Sequence, residues 1–160
     1  MAAGVSPLAA LNALVSAGAW FAYGLSAGLP VVWGVSIAAM VPGVWTVVLL
    51  RRDTTRSDLL GASSFVAVLC ASAAVGRFSL ALAVGVLIIS GPQVWRAVTQ
   101  RDLRGIAPAT WWVALADATS WGAYGLVVDD PALKGYAIVL FASAVVVLAR
   151  LRWVQMAAAV

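Results

Sequence analysis

The sequence predicts an all-α membrane protein of six transmembrane helices, and three observations carry that expectation. The 160 residues are 64% hydrophobic and only 10% charged, against about 25% charged in an ordinary soluble domain, so one small core cannot hide the apolar side chains and lipid must solvate many of them. A helix needs roughly 20 residues, at about 1.5 Å rise each, to cross about 30 Å of hydrocarbon, which leaves room for about six crossings and short loops. The apolar runs lack the two-residue alternation of barrel strands, and unpaired backbone amides in hydrocarbon cost several kcal/mol, so each run should satisfy itself as a helix.

Taken in order, apolar runs between polar breaks place helices near 7–27, 30–50, 59–75, 78–98, 108–128 and 132–152. The first two lead into RRDTTRSD (51–58), which precedes the third, and the fourth leads into RAVTQRDLRGIA (96–107), which precedes the last two. Those two segments and the C-terminal end carry Arg51, Arg52, Arg56, Arg96, Arg101, Arg104, Arg150 and Arg152, whereas the opposite side has only Arg77 and Lys134. By the positive-inside rule the protein is expected to be a multi-pass protein of the cell membrane with both termini cytoplasmic, an arrangement six crossings satisfy. Trp45, Trp95, Trp111, Trp112 and Trp153 fall near the same ends, as an interfacial aromatic belt would.

Composition also narrows function. The net charge of +4 comes from basic residues that form no single run or stripe, so nucleic acid is set aside as a partner. Cys70 is the lone cysteine and there is no histidine, so the usual zinc, haem and histidine-dependent nucleophile arrangements lack their commonest member. No catalytic residue, metal or cofactor is expected. The first basic residue is Arg51, so the opening apolar stretch lacks the charged start of a secretory signal and is expected to stay as a membrane segment.

Sliding the chain on itself by 101 residues aligns 4–37 with 105–138 without a gap. Gly4 meets Gly105, Pro7 meets Pro108, Trp20 meets Trp121, Tyr23-Gly24-Leu25 meets Tyr124-Gly125-Leu126, Pro30 meets Pro131 and Gly34 meets Gly135. Shared hydrophobicity would match only Leu, Val and Ala, so the register points to a duplicated helix pair. Both copies start on the same side, and parallel repeats are one architecture of transporters.

The stretch SGPQVWRAVTQRDLRGIAP (90–108), followed by SWGAYGLVVDDP (120–131), resembles the PQ-loop triple-helix unit of the SWEET and semi-SWEET sugar transporters. In that family a proline-glutamine helix is followed by a basic loop, a W-x-x-Y-G helix and a third helix entered through proline. The resemblance implies parallel triple-helix-bundle repeats: residues 1–52 an incomplete first bundle, helices 2 and 3 of a unit; 53–77 a linker helix; and 78–160 a complete bundle. The first unit then lacks its own proline-glutamine helix, and an earlier true start and a six-helix variant both stay open. PGVW at 42–45 faintly echoes PQVW at 92–95, but the 101-residue register already accounts for the second helix.

The resemblance also implies a sugar site lined by Trp20 and Trp121, with an asparagine sixteen residues after each. Here Ser36 and Ala137 stand at those places, so hydroxyl recognition by amides is lost while the aromatic faces remain. Trp121 lies roughly 20 Å above Pro108 and Ala137 roughly 9 Å below Pro131, which puts both about a third of the way in from the outside. Asp117 lies roughly 14 Å from Pro108, near midplane, where a carboxylate costs about 2.5 to 3.5 kcal/mol and so needs a reason. Spacings of four and three put Asp117, Trp121 and Tyr124 on one helical face, with Ser16, Trp20 and Tyr23 on its counterpart. Simple packing for the tryptophans, and a protonated or helix-bridging Asp117, are the bland alternatives.

Pro42 and Pro92 each remove a helical hydrogen bond and are candidate hinges, with Gln93 completing the proline-glutamine pair; many membrane helices, however, carry proline without transporting anything. Gly4 and Gly105 read as turn formers, Gly24, Gly34, Gly125 and Gly135 as close helix contacts, and Asp129 and Asp130 as a solvated outer turn. The expected function is facilitative transport of a small polar solute, first of all a sugar, by alternating access around a cavity with Trp20, Trp121, Asp117, Ser36 and Ala137. The expected partners are that solute and the bilayer, with self-association as a homo-oligomer left open. The rivals are a proton-coupled PQ-loop carrier of an amino acid or other charged solute, which Asp117 favours, and a non-transporting receptor or assembly protein.

Overall fold

The computed structural model describes residues 6–100, 103 and 105–157. Among the described residues there are six helices and no strand: α1 Pro7–Ser26, α2 Pro30–Leu50, α3 Arg56–Ala74, α4 Phe78–Thr99, α5 Pro108–Val127 and α6 Pro131–Ala157. Four of them open on proline, where the missing N–H would have had no helical partner and φ is already set. The third begins at Arg56 rather than at 59 because Thr55 and Asp58 form a capping box: Asp58 N–H donates to Thr55 Oγ1 at 3.3 Å, and Thr55 N–H to Asp58 Oδ2 at 2.8 Å. The last helix runs past 152 to Ala157.

Five of the helices are long and apolar enough to cross a membrane. The exception is α5, whose Trp111, Trp112, Asp117, Trp121 and Tyr124 dilute its apolar character over a sufficient length. Large apolar side chains stand on the outside, Val41 at 68%, Leu60 at 68% and Val127 at 84% exposure among them, a surface that lipid solvates and water does not.

Internal packing divides the chain between Leu82 and Ala83, within α4. In the first unit α1 packs on both α2 and α3. Phe65 and Leu69 of α3 and Leu82 form its buried cluster, covered by Val15, Ala19 and Phe78. In the second unit α5 packs on α6. Val86, Ala118 and Leu140 form one buried cluster there, and Ala97, Leu103, Ile106, Trp111, Ala144, Val147 and Leu151 another.

Each unit contains a helical hairpin, and the two hairpins agree in detail at the same 101-residue offset. In the first, Leu29 N–H donates to Gly24 O at 2.8 Å and Ala27 N–H to Tyr23 O at 2.8 Å. In the second, Asp130 N–H donates to Gly125 O at 2.9 Å and Val128 N–H to Tyr124 O at 3.0 Å. This closes the helix through one left-handed residue, Gly28 at φ 68° in one copy and Asp129 at φ 53° in the other. A Cβ on Gly24 would stand 2.7 Å from Trp33 N, and one on Gly125 would stand 2.8 Å from Leu133 Cβ and 3.1 Å from Lys134 N. Only glycine permits that approach of backbone to backbone. Gly135 is likewise a close contact, with Ala83 Cβ 2.7 Å from its missing Cβ, but Gly34, its counterpart, has nothing within 4 Å and is not one.

Two further expectations are corrected by burial. Trp111 is not part of an exposed belt: it is 3% exposed in the second unit's core, whereas Trp45, Trp95, Trp112 and Trp153 are 61–70% exposed. Asp130 is not solvated either. It is buried, and its Oδ1 accepts from Leu133 N–H at 2.9 Å, satisfying one of the donors at the start of α6.

Candidate functional site

The aromatic pairs come from α1 and α5. A spacing of three turns both rings of each pair to one side of its helix, and in each copy they meet edge to face. Trp20 and Tyr23 have centroids 5.8 Å apart at 88°, and Trp121 and Tyr124 have centroids 6.0 Å apart at 73°. All four rings are half-buried. Tyr23 also meets Phe78 edge-on at 6.2 Å, and Trp20 and Tyr23 rest on the Phe65, Leu69 and Leu82 cluster.

At the two positions expected to face these tryptophans, both side chains are buried. Ser36 is buried, and its hydroxyl donates to Val32 O at 2.8 Å, one turn back on its own helix. Ala137 is buried against Gly122, whose missing Cβ lies 3.2 Å from the Ala137 methyl.

Asp117 is half-buried and bridges the second hairpin: Tyr136 Oη donates to Asp117 Oδ2 at 2.9 Å, tying α5 to α6. At the equivalent positions the first hairpin has Ser16 and Val35, so this polar tie belongs to one copy only. Tyr136 was not legible as a site residue, because no spacing rule pairs residues on different helices. Asn12 was also missed. It is 6% exposed and its Oδ1 has no hydrogen-bond partner among the described residues. Spacings of four and three put it on the stripe Leu8, Asn12, Val15 and Ala19 that faces α3, since Leu8 touches Gly61 and Val15 and Ala19 cover Phe65 and Leu69. An asparagine in an apolar span was the available signal.

No family model, curated protein or solved structure matches the chain.

Pro42 and Pro92 both lie on exposed stretches of α2 and α4, each of which continues through its proline, and Gln93 is exposed beside Pro92. Thr46 Oγ1 donates to Pro42 O at 2.8 Å, the common bond of a helical threonine hydroxyl to the carbonyl one turn back. At the turn of the second hairpin, Lys134 Nζ lies 2.6 Å from Asp129 Oδ1, and that hydrogen bond, followed by the lysine's charge, holds the exposed Asp129 carboxyl below its ordinary 3.8. No group of three His, Cys, Asp or Glu residues converges among the described residues. Gly4, Arg101, Arg104 and both chain ends lie outside the described residues.

Proposed function

We propose that the chain is a membrane carrier that moves a small polar solute by facilitative alternating access, without making or breaking a covalent bond. The reading includes six crossings, parallel repeats with α3 as linker, and both termini in the cytoplasm. One observation carries it: the same edge-to-face tryptophan–tyrosine pair stands beside the same glycine-closed turn in both hairpins, at one offset. Internal repeats are how many carriers build two alternating states around one site. The resemblance to SWEET and semi-SWEET transporters makes a sugar the first solute to try. Indole faces can stack on a sugar ring, and solute binding is assigned to Trp20, Tyr23 and Ser36 in the first unit and to Trp121, Tyr124, Ala137 and Asp117 in the second. Pro42, Pro92 and Gln93 are assigned to the moving helices.

A second reading is favoured by Asp117 with Tyr136. A carboxylate held in one copy alone can exchange a proton or meet a cationic solute, which suits a proton-coupled carrier of an amino acid. Purified protein in liposomes separates the readings through counterflow of radiolabelled sugars and amino acids, with and without a pH gradient. Sugar counterflow that Trp121→Ala abolishes supports the facilitator, and flux that follows the pH gradient and fails in Asp117→Asn supports the coupled carrier. Solute binding with no flux of any kind would make the chain a receptor and sink both.

A further inference from the structure

We propose that the last turn of α4, with Arg96 and Arg150, binds the phosphate of an anionic glycerophospholipid at the membrane face where α4 and α6 end. Two guanidinium groups are fastened to that one turn. Arg96 Nε donates to Gln100 Oε1 at 2.8 Å, and Arg150 Nε donates across from α6 to Ala97 O at 3.2 Å, capping one of the last carbonyls of α4. In both side chains the hydrogen bond uses Nε and leaves the two Nη groups, the pair of donors that fits phosphate oxygens, with no partner among the described residues.

The position of Arg96 is also enforced sterically. Its Nη1 and Nη2 stand 3.1 and 3.2 Å from where a Gly105 Cβ would be, so the guanidinium lies across a residue that has no side chain to displace it. Ala97, beneath the two arginines, is fully buried in the second unit's core, which makes the turn a rigid platform.

The surroundings select a lipid over a soluble anion. Trp95 and Trp153, next in sequence to Arg96 and Arg152, are 70% and 66% exposed, and Trp112 is 61% exposed. Exposed indoles at helix ends are membrane-interface groups, and headgroup phosphates lie at that depth. Among the described residues at the close of α4 and α6 stand Arg96, Arg150 and Arg152 with no acidic residue, so the charge there is complementary to an anionic headgroup.

The test is native mass spectrometry of the full chain released from micelles that contain equimolar phosphatidylglycerol and phosphatidylcholine. The wild type should retain phosphatidylglycerol preferentially. Arg96→Gln, at an exposed position whose only side-chain bond among the described residues is to Gln100, should lower that preference about fivefold, the effect of one basic residue at a membrane surface. Arg150→Gln should do the same, and because it also uncaps α4, Arg96→Gln decides the matter if Arg150→Gln fails to fold. Arg52→Gln, an exposed arginine of the first unit, should change nothing. No preference in the wild type, an equal loss in Arg52→Gln, or an unchanged preference in Arg96→Gln overturns the proposal. Displacement of the lipid by millimolar inorganic phosphate assigns the site to a soluble anion and overturns it as well.

Discussion

Giving Gly24 or Gly125 a methyl group should open its hairpin, even though alanine is the better helix former. At Gly24 the added carbon would meet Trp33 N at 2.7 Å and Val32 Cβ and Cγ1 at 3.1 Å. Relaxed separations are about 3.5 Å, so α1 and α2 must part by roughly 0.8 Å there, which forfeits roughly a quarter to a half of each contact at the seam. Overpacking of this kind costs about 1 to 3 kcal/mol, and alanine returns about 1 kcal/mol in helix propensity. Because the nearest atoms are backbone or Cβ, which cannot swing aside, the upper part of the range applies, and the net loss should be about 1 to 2 kcal/mol. At Gly125 the obstruction is the same, Leu133 Cβ at 2.8 Å and Lys134 N at 3.1 Å, so the loss should match. Unfolding by sodium dodecyl sulfate in mixed micelles, followed by far-ultraviolet circular dichroism, measures it. Gly18→Ala and Gly34→Ala, with nothing within 4 Å of the new carbon, are the controls and should be neutral or more stable. If Gly24→Ala and Gly125→Ala unfold with the controls, the helices do not approach as closely as described.

A double-mutant cycle with Asp117→Asn and Tyr136→Phe should give a coupling of about 0.6 to 1.7 kcal/mol, the usual range for side-chain hydrogen bonds in membranes; additivity would mean that the bond contributes nothing. Trp111 Nε1 is buried with no acceptor among the described residues, so Trp111→Phe removes an unsatisfied donor and should cost under about 1 kcal/mol in the same unfolding assay, whereas Trp111→Ala should cost about 3 to 5 kcal/mol. Lys134 lowers the Asp129 pKa in the folded state, so the ion pair's stabilisation is complete well above pH 3.8 and fades as pH falls through the lowered value. Acid unfolding curves of Asp129→Asn should lack that component, and curves identical to wild type would show that the pair is fully screened.

Much of the fold was legible because lipid makes simple demands. Apolar run lengths placed α2 correctly at 30–50, and proline marked the start of α1 and α5. The beginning of α3 was missed because a capping box adds polar residues that a hydropathy reading discards. The register of 101 was readable because tryptophan, tyrosine, glycine and proline are rare enough to align, and backbone hydrogen bonds at Gly24 and Gly125 follow it. Side-chain environments were less legible. Trp111 and Trp112 are neighbours, yet one is in the core and the other outside, a difference set by helix rotation that an apolar sequence hardly records. Asp129 and Asp130 part in the same way: the left-handed turn aims one outward at Lys134 and the other at the start of α6.

Under the proposed six-crossing arrangement, the bond between Asp117 and Tyr136 bears on how the chain enters a bilayer. Alone among the six, α5 is not among the helices long and apolar enough to cross, and in that arrangement it brings a carboxylate whose transfer to midplane costs about 2.5 to 3.5 kcal/mol. Its partner α6 follows after only three residues and is long and strongly apolar. Closing so short a connection takes little entropy, and neighbouring contacts form quickly. The hairpin is therefore best delivered as one piece, with α6 supplying the drive and Tyr136 already holding the acid. Ribosomal pausing or a long insertion at 128–130 would separate the two events and leave α5 waiting at the surface.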